Sequence, residues 1–370
     1  MRLLEGCDVT KIKAAVCRTF GAPLTVEEVD LRAPQDDEVE VTLSACAICH
    51  SDLSYMDGGW GGTLPAVYGH EAAGTITAQG SGVRGYSAGD RVLVTLIRSC
   101  GHCPSCSDAR GVQCSTPYDK STGPLAMSDG GTLEHGLACG AFAEKVVVHH
   151  SQIVKIPETM PMDAASLLSC GVITGLGAVV NTARIRPGQT VVVIGAGGVG
   201  LNAIQGADIS GAARIIAMDL LPEKLEDAKD FGATDTILAD APKPWKEVSS
   251  ITDGRMADAV FVTVGALPAY DLALRLLAPH GDAYIVGLPH SGQMSEYEPV
   301  VLGALGQGLK GSKMGDVVLR RDIPWMVDLY QQGRLKLDEL ISGRWSLDQI
   351  NEAIADTRTG AARRNVIVFE

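Results

Sequence analysis

The sequence predicts a two-domain α/β protein, with a β-rich part that carries metal sites and a doubly wound parallel sheet that binds a dinucleotide. Three observations predict it. Residues 11–48 read as short alternating strands, and Cys100, Cys103, Cys106 and Cys114 cluster in a long loop. The β-branched run Thr190–Ile194 then feeds directly into Gly195-Ala196-Gly197-Gly198-Val199-Gly200. At 370 residues the chain is long enough for about two domains, each with its own core.

The strands of the β-rich part are Lys13–Cys17, Leu24–Val29 and Val39–Ala45, parted by Gly-Ala-Pro at 21–23 and by residues 32–37. Ala73–Ile76 and Arg91–Leu96 continue the pattern, with residues 86–90 as a tight turn, and together they suggest a small distorted barrel. Residues 99–140 are rich in glycine and cysteine with little periodicity, and a loop of that length usually has a function. The style changes near residue 163. Helices at Asp163–Leu168 and Thr174–Ala183 precede a turn at Arg186–Gln189 and the buried strand Thr190–Ile194. Alternation follows: strand 214–218, helix 222–231, strands 235–238 and 258–262, helix 268–278 and strand 281–286. Such alternation means a parallel sheet covered on both faces. The tail predicts helices near 322–332 and 346–357 and a closing strand Asn365–Phe369.

Charge excludes several partners. Lys and Arg number 31 against 44 Asp and Glu, a net charge of −13, which disfavours nucleic acid and anionic membrane surfaces. Only 5% of residues are aromatic, too few for a base-stacking surface. Met1–Lys13 carries Glu5 and Asp8 and has no long apolar run, so it reads as neither a secretory signal nor a transit peptide. No apolar run reaches the roughly 18 residues that would suggest a membrane span. Ten cysteines in such a chain fit metal binding in a reducing cytoplasm better than a disulfide framework.

Cys100, Cys103, Cys106 and Cys114, separated by two, two and seven residues, can close a tetrahedral Zn²⁺ cage that leaves no position for substrate. The rival iron–sulfur pattern needs its fourth cysteine after three residues and before proline; here the Cys-Pro pair is Cys103-Pro104. His102 is redundant to four thiolates and is expected to be exposed. In the glycine run, Gly195 permits a tight turn, Gly197 lets backbone approach a pyrophosphate, and Gly200 allows helix–strand packing. The phosphates would rest on the helix N-terminus that Gly198 opens. Asp219 ends the next strand, 24 residues after Gly195. A carboxylate there accepts from a ribose 2′-hydroxyl and repels a 2′-phosphate, which selects NAD over NADP. Lys224 reaches the same ribose or is one of several exposed helix charges. Cys46-Ala47-Ile48-Cys49 does not stand in the βαβ context of a redox dithiol, and Cys46 reads as a buried strand cysteine. Cys7, Cys17 and Cys139 read as plain thiols.

The segment Gly69-His70-Glu71-Ala72-Ala73-Gly74, followed by Gly80 and Val83, joins the four-cysteine loop, Cys170-Gly171 and the glycine run in one order. On these motifs the whole chain resembles the zinc-dependent medium-chain alcohol dehydrogenases. The resemblance implies a GroES-like β-barrel catalytic domain (1–171 and 314–370), a Rossmann coenzyme domain (172–313) and an active site in the cleft between them. It implies that Cys49, His70 and Cys170 bind a catalytic zinc, a Cys₂His set known from alcohol dehydrogenase that keeps one position open. Spacing alone does not select these three.

Asp52 would orient His70, and Glu71 would approach the metal during ligand exchange. Ser51 would take the alcohol proton. Thr174, Val199 and Val286 would lie at the coenzyme, and His50 and Arg364 would place cations on its pyrophosphate. Arg364 otherwise reads as half of a surface pair with Arg363. Trp60, Leu96 and Leu288 would line an apolar pocket suited to an aliphatic or aromatic alcohol. The implied cofactors are NAD and two Zn²⁺ per subunit, with hydride passing from alcohol to nicotinamide. Many members carry a histidine three residues after Ser51 to complete a proton relay, where this chain has Ser54. A long loop from Cys114 to Phe142 favours a homodimer over a homotetramer, joined through residues 290–310.

Two other functions compete. An S-(hydroxymethyl)glutathione dehydrogenase shares these motifs and needs basic residues at the pocket mouth, for which Arg98, Arg110 and Lys120 are the candidates. A non-catalytic, zinc-stabilised NAD-binding protein would need neither the ligand triad nor Ser51 and Asp52.

Overall fold

A computed structural model of the chain describes residues 9–118 and 123–369. It divides into two compact units. The first runs to Cys170 and includes Val318–Asp328 and the residues from Leu337 onward; the second holds Gly171–Val317 and Leu329–Lys336. Cys7 and Lys120 lie outside the described residues.

The first unit opens with β1 (Val9–Cys17), β2 (Thr25–Arg32) and β3 (Glu38–Ala47), then helix α1 (His50–Met56). Strands β4 (Ala66–Val67), β5 (Glu71–Gln79) and β6 (Arg91–Thr95) follow, then α2 (Pro104–Ser107) inside the cysteine loop. Four short strands, β7 (Leu125–Met127), β8 (Glu134–His135), β9 (Lys145–His149) and β10 (Ile153–Lys155), lead to α3 (Met162–Leu167). One sheet has the order β7-β2-β1-β4-β8. The other runs β10-β6-β5-β3 and continues through Arg364–Val368 and Ile341–Trp345, with β9 also on β3. The sheets share one core, in which Val16, Leu31, Val41, Ile76 and Val94 are inward-facing residues of period-two strands and Phe142 joins them from a bend.

Strand register explains why distant residues converge. Ala47 at the end of β3 lies opposite Glu71 at the start of β5, and Glu71 lies opposite Thr95 at the end of β6. Val366 of the closing strand pairs with Ala47 on the other side. The segments leaving these strands therefore meet at one end of the seven-stranded sheet.

The second unit starts with α4 (Gly171–Gly177), which continues as a single π-helical stretch, Ala178–Ala183, and stops at Arg184 with φ +56°. Its strands are β11 (Thr190–Ile194), β12 (Arg214–Asp219), β13 (Asp235–Leu238), β14 (Ala257–Val262), β15 (Leu277–Ile285) and β16 (Gly308–Gly311). The helices between them are α5 (Gly198–Ile209), α6 (Pro222–Asp230), α7 (Pro244–Ile251), α8 (Leu267–Ala273) and α9 (Pro299–Leu305). The parallel order β13-β12-β11-β14-β15-β16 is the doubly wound Rossmann order. Two further helices, α10 (Leu319–Gln331) and α11 (Ile350–Arg358), complete the chain. No helix among the described residues is long and apolar enough to cross a membrane.

Three expectations need correction. The helix expected over 268–278 is α-helical to Ala273 and closes as a 3₁₀ turn, Leu274–Leu276, and the strand expected from 281 begins at Leu277. Pro279 disfavours helical geometry at Ala278, so the chain turns extended early. The helix expected from 346 begins as a 3₁₀ turn, Leu347–Gln349, and becomes α-helical at Ile350. The loop 99–140 is less featureless than its composition suggests, since it contains α2, β7 and β8.

Candidate active site and metal centres

Cys49, His70, Glu71 and Cys170, all buried, bring one ligand atom each within 4.8 Å of the others. Local structure sets each of them. Cys49 is the N-cap of α1, so a helix does start there, but Cys46 belongs to antiparallel β3 and the pair is not in a βαβ unit. Gly69, at φ +90°, precedes His70; a Cβ on it would fall 2.6 Å from the Phe142 nitrogen, so only glycine lets this segment approach. Asp52 then ties two of the ligands. Its Oδ2 accepts from the Cys49 N–H at 3.1 Å, and its Oδ1 accepts from the Gly69 N–H and from His70 Nδ1, both at 2.9 Å. With Nδ1 on Asp52, His70 Nε2 faces the sulfurs without a hydrogen-bond partner, and Glu71 Oε2 has none either.

Electrostatics at this cluster follow from burial and crowding. The Cys49 thiol lies well below its ordinary value because Cys170 donates to its sulfur and because His70 and Arg364 add positive charge, against the cost of burial. Cys170, bonded to that thiolate and buried, is pushed up and keeps the proton. Burial pulls the His70 imidazole down, but Asp52 and the Cys49 thiolate outweigh it and hold the ring basic. Glu71 is raised to about 8 by burial, despite the opposing Arg364. Two thiols, an orphaned imidazole nitrogen and an orphaned carboxylate oxygen, all desolvated, make a donor set that fits Zn²⁺.

Arg364 corrects one expectation. It is not half of a surface pair: it is buried, and its guanidinium donates to Glu71 Oε1 at 3.1 Å and to the Ile48 carbonyl at 3.2 Å.

The second cluster is Cys100, Cys103, Cys106 and Cys114. Cys100 and Cys106 sulfurs lie 3.9 Å apart, as do those of Cys103 and Cys114. Four thiolates about 2.3 Å from one zinc have edges of roughly 3.8 Å. Backbone N–H groups of His102 and Cys103 point at the Cys100 sulfur, which with the Thr116 hydroxyl lowers that thiol to about 5. His102 itself is exposed, with Nδ1 on the Cys100 carbonyl and away from the sulfurs.

In the second unit the glycine run turns from β11 into α5. Gly195 sits at φ +99°, and a Cβ on it would lie 2.4 Å from Val264 Cγ1. Gly200 packs so closely that a Cβ would lie 1.7 Å from the Gly195 carbonyl oxygen. A Cβ on Gly197 would meet nothing within 4 Å, which leaves open space in front of the α5 N-terminus that Gly198 begins. Asp219 ends β12, where Oδ2 accepts from the Ala196 N–H at 2.7 Å and Oδ1 from the Leu221 N–H at 3.1 Å. Each oxygen keeps a lone pair for a hydroxyl. Lys224 stands half-buried in the first turn of α6. Val199 is in α5 against α4, where Gly175 is so close that a Cβ would lie 2.2 Å from the Val199 carbonyl oxygen. Thr174 is buried beside Met314, and Val286 is buried just past β15 with its N–H on the Val262 carbonyl.

The remaining residues scatter more widely. Ser51 and Ser54 are half-buried on α1, and His50 at its start is exposed. Trp60 packs edge-on against Tyr55, ring centroids 5.2 Å apart, and Tyr55 stacks on Tyr68. Leu96 is half-buried against the barrel core, and Leu288 in the second unit is 60% exposed. Arg98 lies over the Tyr118 ring, and Arg110 is exposed beside the cysteine loop. Sequence reasoning missed the Arg364–Glu71 pair, and Tyr55 and Tyr68 behind Trp60. It also missed the buried hydroxyls of Thr95 and Ser169; the only local signal for those was a polar residue next to each of Leu96 and Cys170.

Two family models match the chain: an alcohol dehydrogenase GroES-like domain over residues 35–158 and a zinc-binding dehydrogenase over 198–332. An NDMA-dependent alcohol dehydrogenase of Amycolatopsis methanolica is 35% identical over 97% of this chain and 99% of its own. Among solved structures, an alcohol dehydrogenase zinc-binding domain protein from Burkholderia ambifaria is similar with TM-score 0.94 at 34% identity, covering 98% of this chain and 100% of that one. Benzyl alcohol dehydrogenase from Acinetobacter calcoaceticus is similar with TM-score 0.92 at 31% identity and the same coverage.

Proposed function

The chain belongs to the zinc-dependent medium-chain alcohol dehydrogenase family, and from that premise we propose that it oxidises a primary or secondary alcohol, aliphatic or aromatic, with NAD as hydride acceptor. The observation that carries the reading is the buried convergence of Cys49, His70 and Cys170 with the unpartnered His70 Nε2. Asp52 fixes the tautomer that aims this nitrogen inward, and both cysteines serve as thiolates. Zinc bound there supplies Lewis acidity toward an alcohol oxygen. Ser51, two residues beyond Cys49, takes the alcohol proton and passes it toward solvent through Ser54 and ordered water. Glu71, paired with Arg364, offers a carboxylate oxygen to the same cluster.

In the second unit, the N–H groups of the α5 N-terminus hold the pyrophosphate in the space that Gly197 leaves open. Asp219 accepts from the ribose and Lys224 supports it, while Thr174, Val199 and Val286 lie at the nicotinamide. In the first unit Trp60 and Leu96 offer apolar surface to the substrate, and benzyl alcohol is a natural test given the Acinetobacter relative. The four-cysteine zinc folds its loop and has no open position.

The protein acts in the cytoplasm as a homodimer. Helix α9 buries none of its residues, and Val300, Leu305 and Leu309 stay exposed beside the edge strand β16, a surface suited to a second copy.

The test is NADH formation by purified protein with short, branched, long-chain and benzylic alcohols, and with formaldehyde plus glutathione, each before and after chelation. NADP and NDMA run beside NAD, because NDMA is the acceptor named for the Amycolatopsis relative. Chelator-sensitive oxidation of simple alcohols with NAD supports the proposal. Activity confined to the glutathione adduct, to NADP or to NDMA would replace the corresponding part of it.

A further inference from the structure

We propose that Thr95 and Ser169 form a hydroxyl clamp that sets Cys170 in position for its metal. The inference rests on reading Cys170 as a ligand. Of the three ligands, two share an anchor: Asp52 holds the Cys49 backbone, the Gly69 backbone and the His70 ring. Cys170 has no part in that network. It stands three residues past the end of α3 and directly before α4, in the turn that joins them.

Two hydroxyl bonds tie the peptide before Cys170 to the barrel strands. Thr95 ends β6 and lies in register with Glu71, so its backbone is already fixed beside the cluster. Its hydroxyl donates to the Ser169 carbonyl at 2.6 Å. That carbonyl belongs to the peptide unit joining Ser169 to Cys170, and pinning it fixes the direction in which the Cys170 Cα leaves. The Ser169 hydroxyl in turn donates to the Ala72 carbonyl of β5 at 3.1 Å. Both side chains are fully buried, so water does not substitute for either bond. Thr95 and Ser169 are positioning residues: neither touches substrate or coenzyme.

The experiment compares wild type with Thr95→Val, which keeps the shape and deletes the hydroxyl, Thr95→Ser, which restores it, and Ser169→Ala. Zinc content is followed during chelator titration, and the cobalt-substituted proteins are compared by visible absorption, which reports thiolate geometry. The expected result is loss of one zinc from Thr95→Val and Ser169→Ala at about 10- to 100-fold lower chelator concentration, the usual scale for an outer partner of a metal ligand. The four-cysteine zinc stays, the cobalt bands shift, and Thr95→Ser behaves as wild type. Thr95→Val with two zincs held as in wild type and an unchanged cobalt spectrum overturns the clamp alone. Both variants losing both zincs together, in step with a lower unfolding temperature, also overturns it, because the bonds would then serve stability in general. A wild type that takes up only the four-cysteine zinc removes Cys170 as a ligand, and the clamp falls with the active-site assignment.

Discussion

Gly197 separates coenzyme binding from folding more cleanly than any other residue of the glycine run. Its φ of −81° and ψ of −172° suit any residue, and a Cβ there meets no atom within 4 Å. Alanine at this N-cap position costs about 0.5–1 kcal/mol in lost capping preference. Reduced unfolded-chain entropy returns about 0.4–1 kcal/mol. Stability of the coenzyme-free protein should therefore shift by less than about 1 kcal/mol, or at most a few degrees in unfolding temperature. The methyl group fills the space assigned to the pyrophosphate, however. Displacing a phosphate oxygen from one N–H of the α5 N-terminus forfeits a charge-assisted hydrogen bond worth about 1.5–3 kcal/mol, roughly 10- to 100-fold in Kd. Gly200→Ala is the contrasting control, since its Cβ would lie 1.7 Å from a backbone oxygen and the fold itself must give way. The assay pairs NAD titration by calorimetry with thermal unfolding in the absence of coenzyme. Gly197→Ala that binds NAD with wild-type affinity, or that unfolds as readily as Gly200→Ala, refutes the reasoning.

Three further outcomes are expected. Ser54→His should raise turnover at neutral pH by completing a relay from Ser51, and an unaltered pH–rate profile would count against that route. Burial lowers His135 to about 4, with Tyr118 O–H donating to its Nδ1 and its Nε2–H donating to the Cys139 carbonyl. The unfolded histidine takes its proton near pH 6.5, so between that pH and about 4 the unfolded state binds more protons and stability falls on acidification, by roughly 3 kcal/mol at the end of the window. Denaturant unfolding of His135→Asn across this range should show a flatter pH dependence than wild type. Cys106→Ser should cost one equivalent of zinc and make the loop over 99–118 sensitive to limited proteolysis while the Cys49 cluster keeps its metal; retention of both zincs would show that the four thiols do not form one cage.

The glycine run was legible because each of its demands is local: a turn, a helix start and an acid at the next strand end all lie within a few tens of residues. The cysteine loop was legible for the same reason, since spacing alone decides whether four sulfurs can meet. The start of β15 was recoverable in principle from Pro279, which argues against helix at Leu277 and Ala278, whereas residues 274–276 are helical as a 3₁₀ turn. The Cys49 cluster was legible only through resemblance. Its members lie on segments whose meeting depends on sheet register, and no periodicity in residues 38–95 states that Ala47 faces Glu71 and Glu71 faces Thr95. The Arg364 pairing was the least accessible: 293 residues separate it from Glu71, and an Arg-Arg dipeptide near a terminus gives no sign of burial.

Arg364 also shows how the cluster holds so many acids without water. The Asp52 carboxyl, a Cys49 thiolate and Glu71 crowd a desolvated space, and acids so close cannot all ionise unaided. The chain supplies two counterweights, the Arg364 guanidinium and a protonatable His70, and they account for Asp52 and for the Cys49 thiolate. They do not extend to Cys170 and Glu71, whose protons are held more tightly than normal. A divalent cation held by Cys49, Cys170 and His70 would reverse the balance, because it would favour both thiolates at once and take the place of a proton on His70 Nε2. Zinc affinity at the proposed centre would thus depend on the buried charge pattern as much as on ligand geometry. The Asp52 hydrogen bonds and the strand register bring the donors together, and their mutual repulsion makes them wait for a metal.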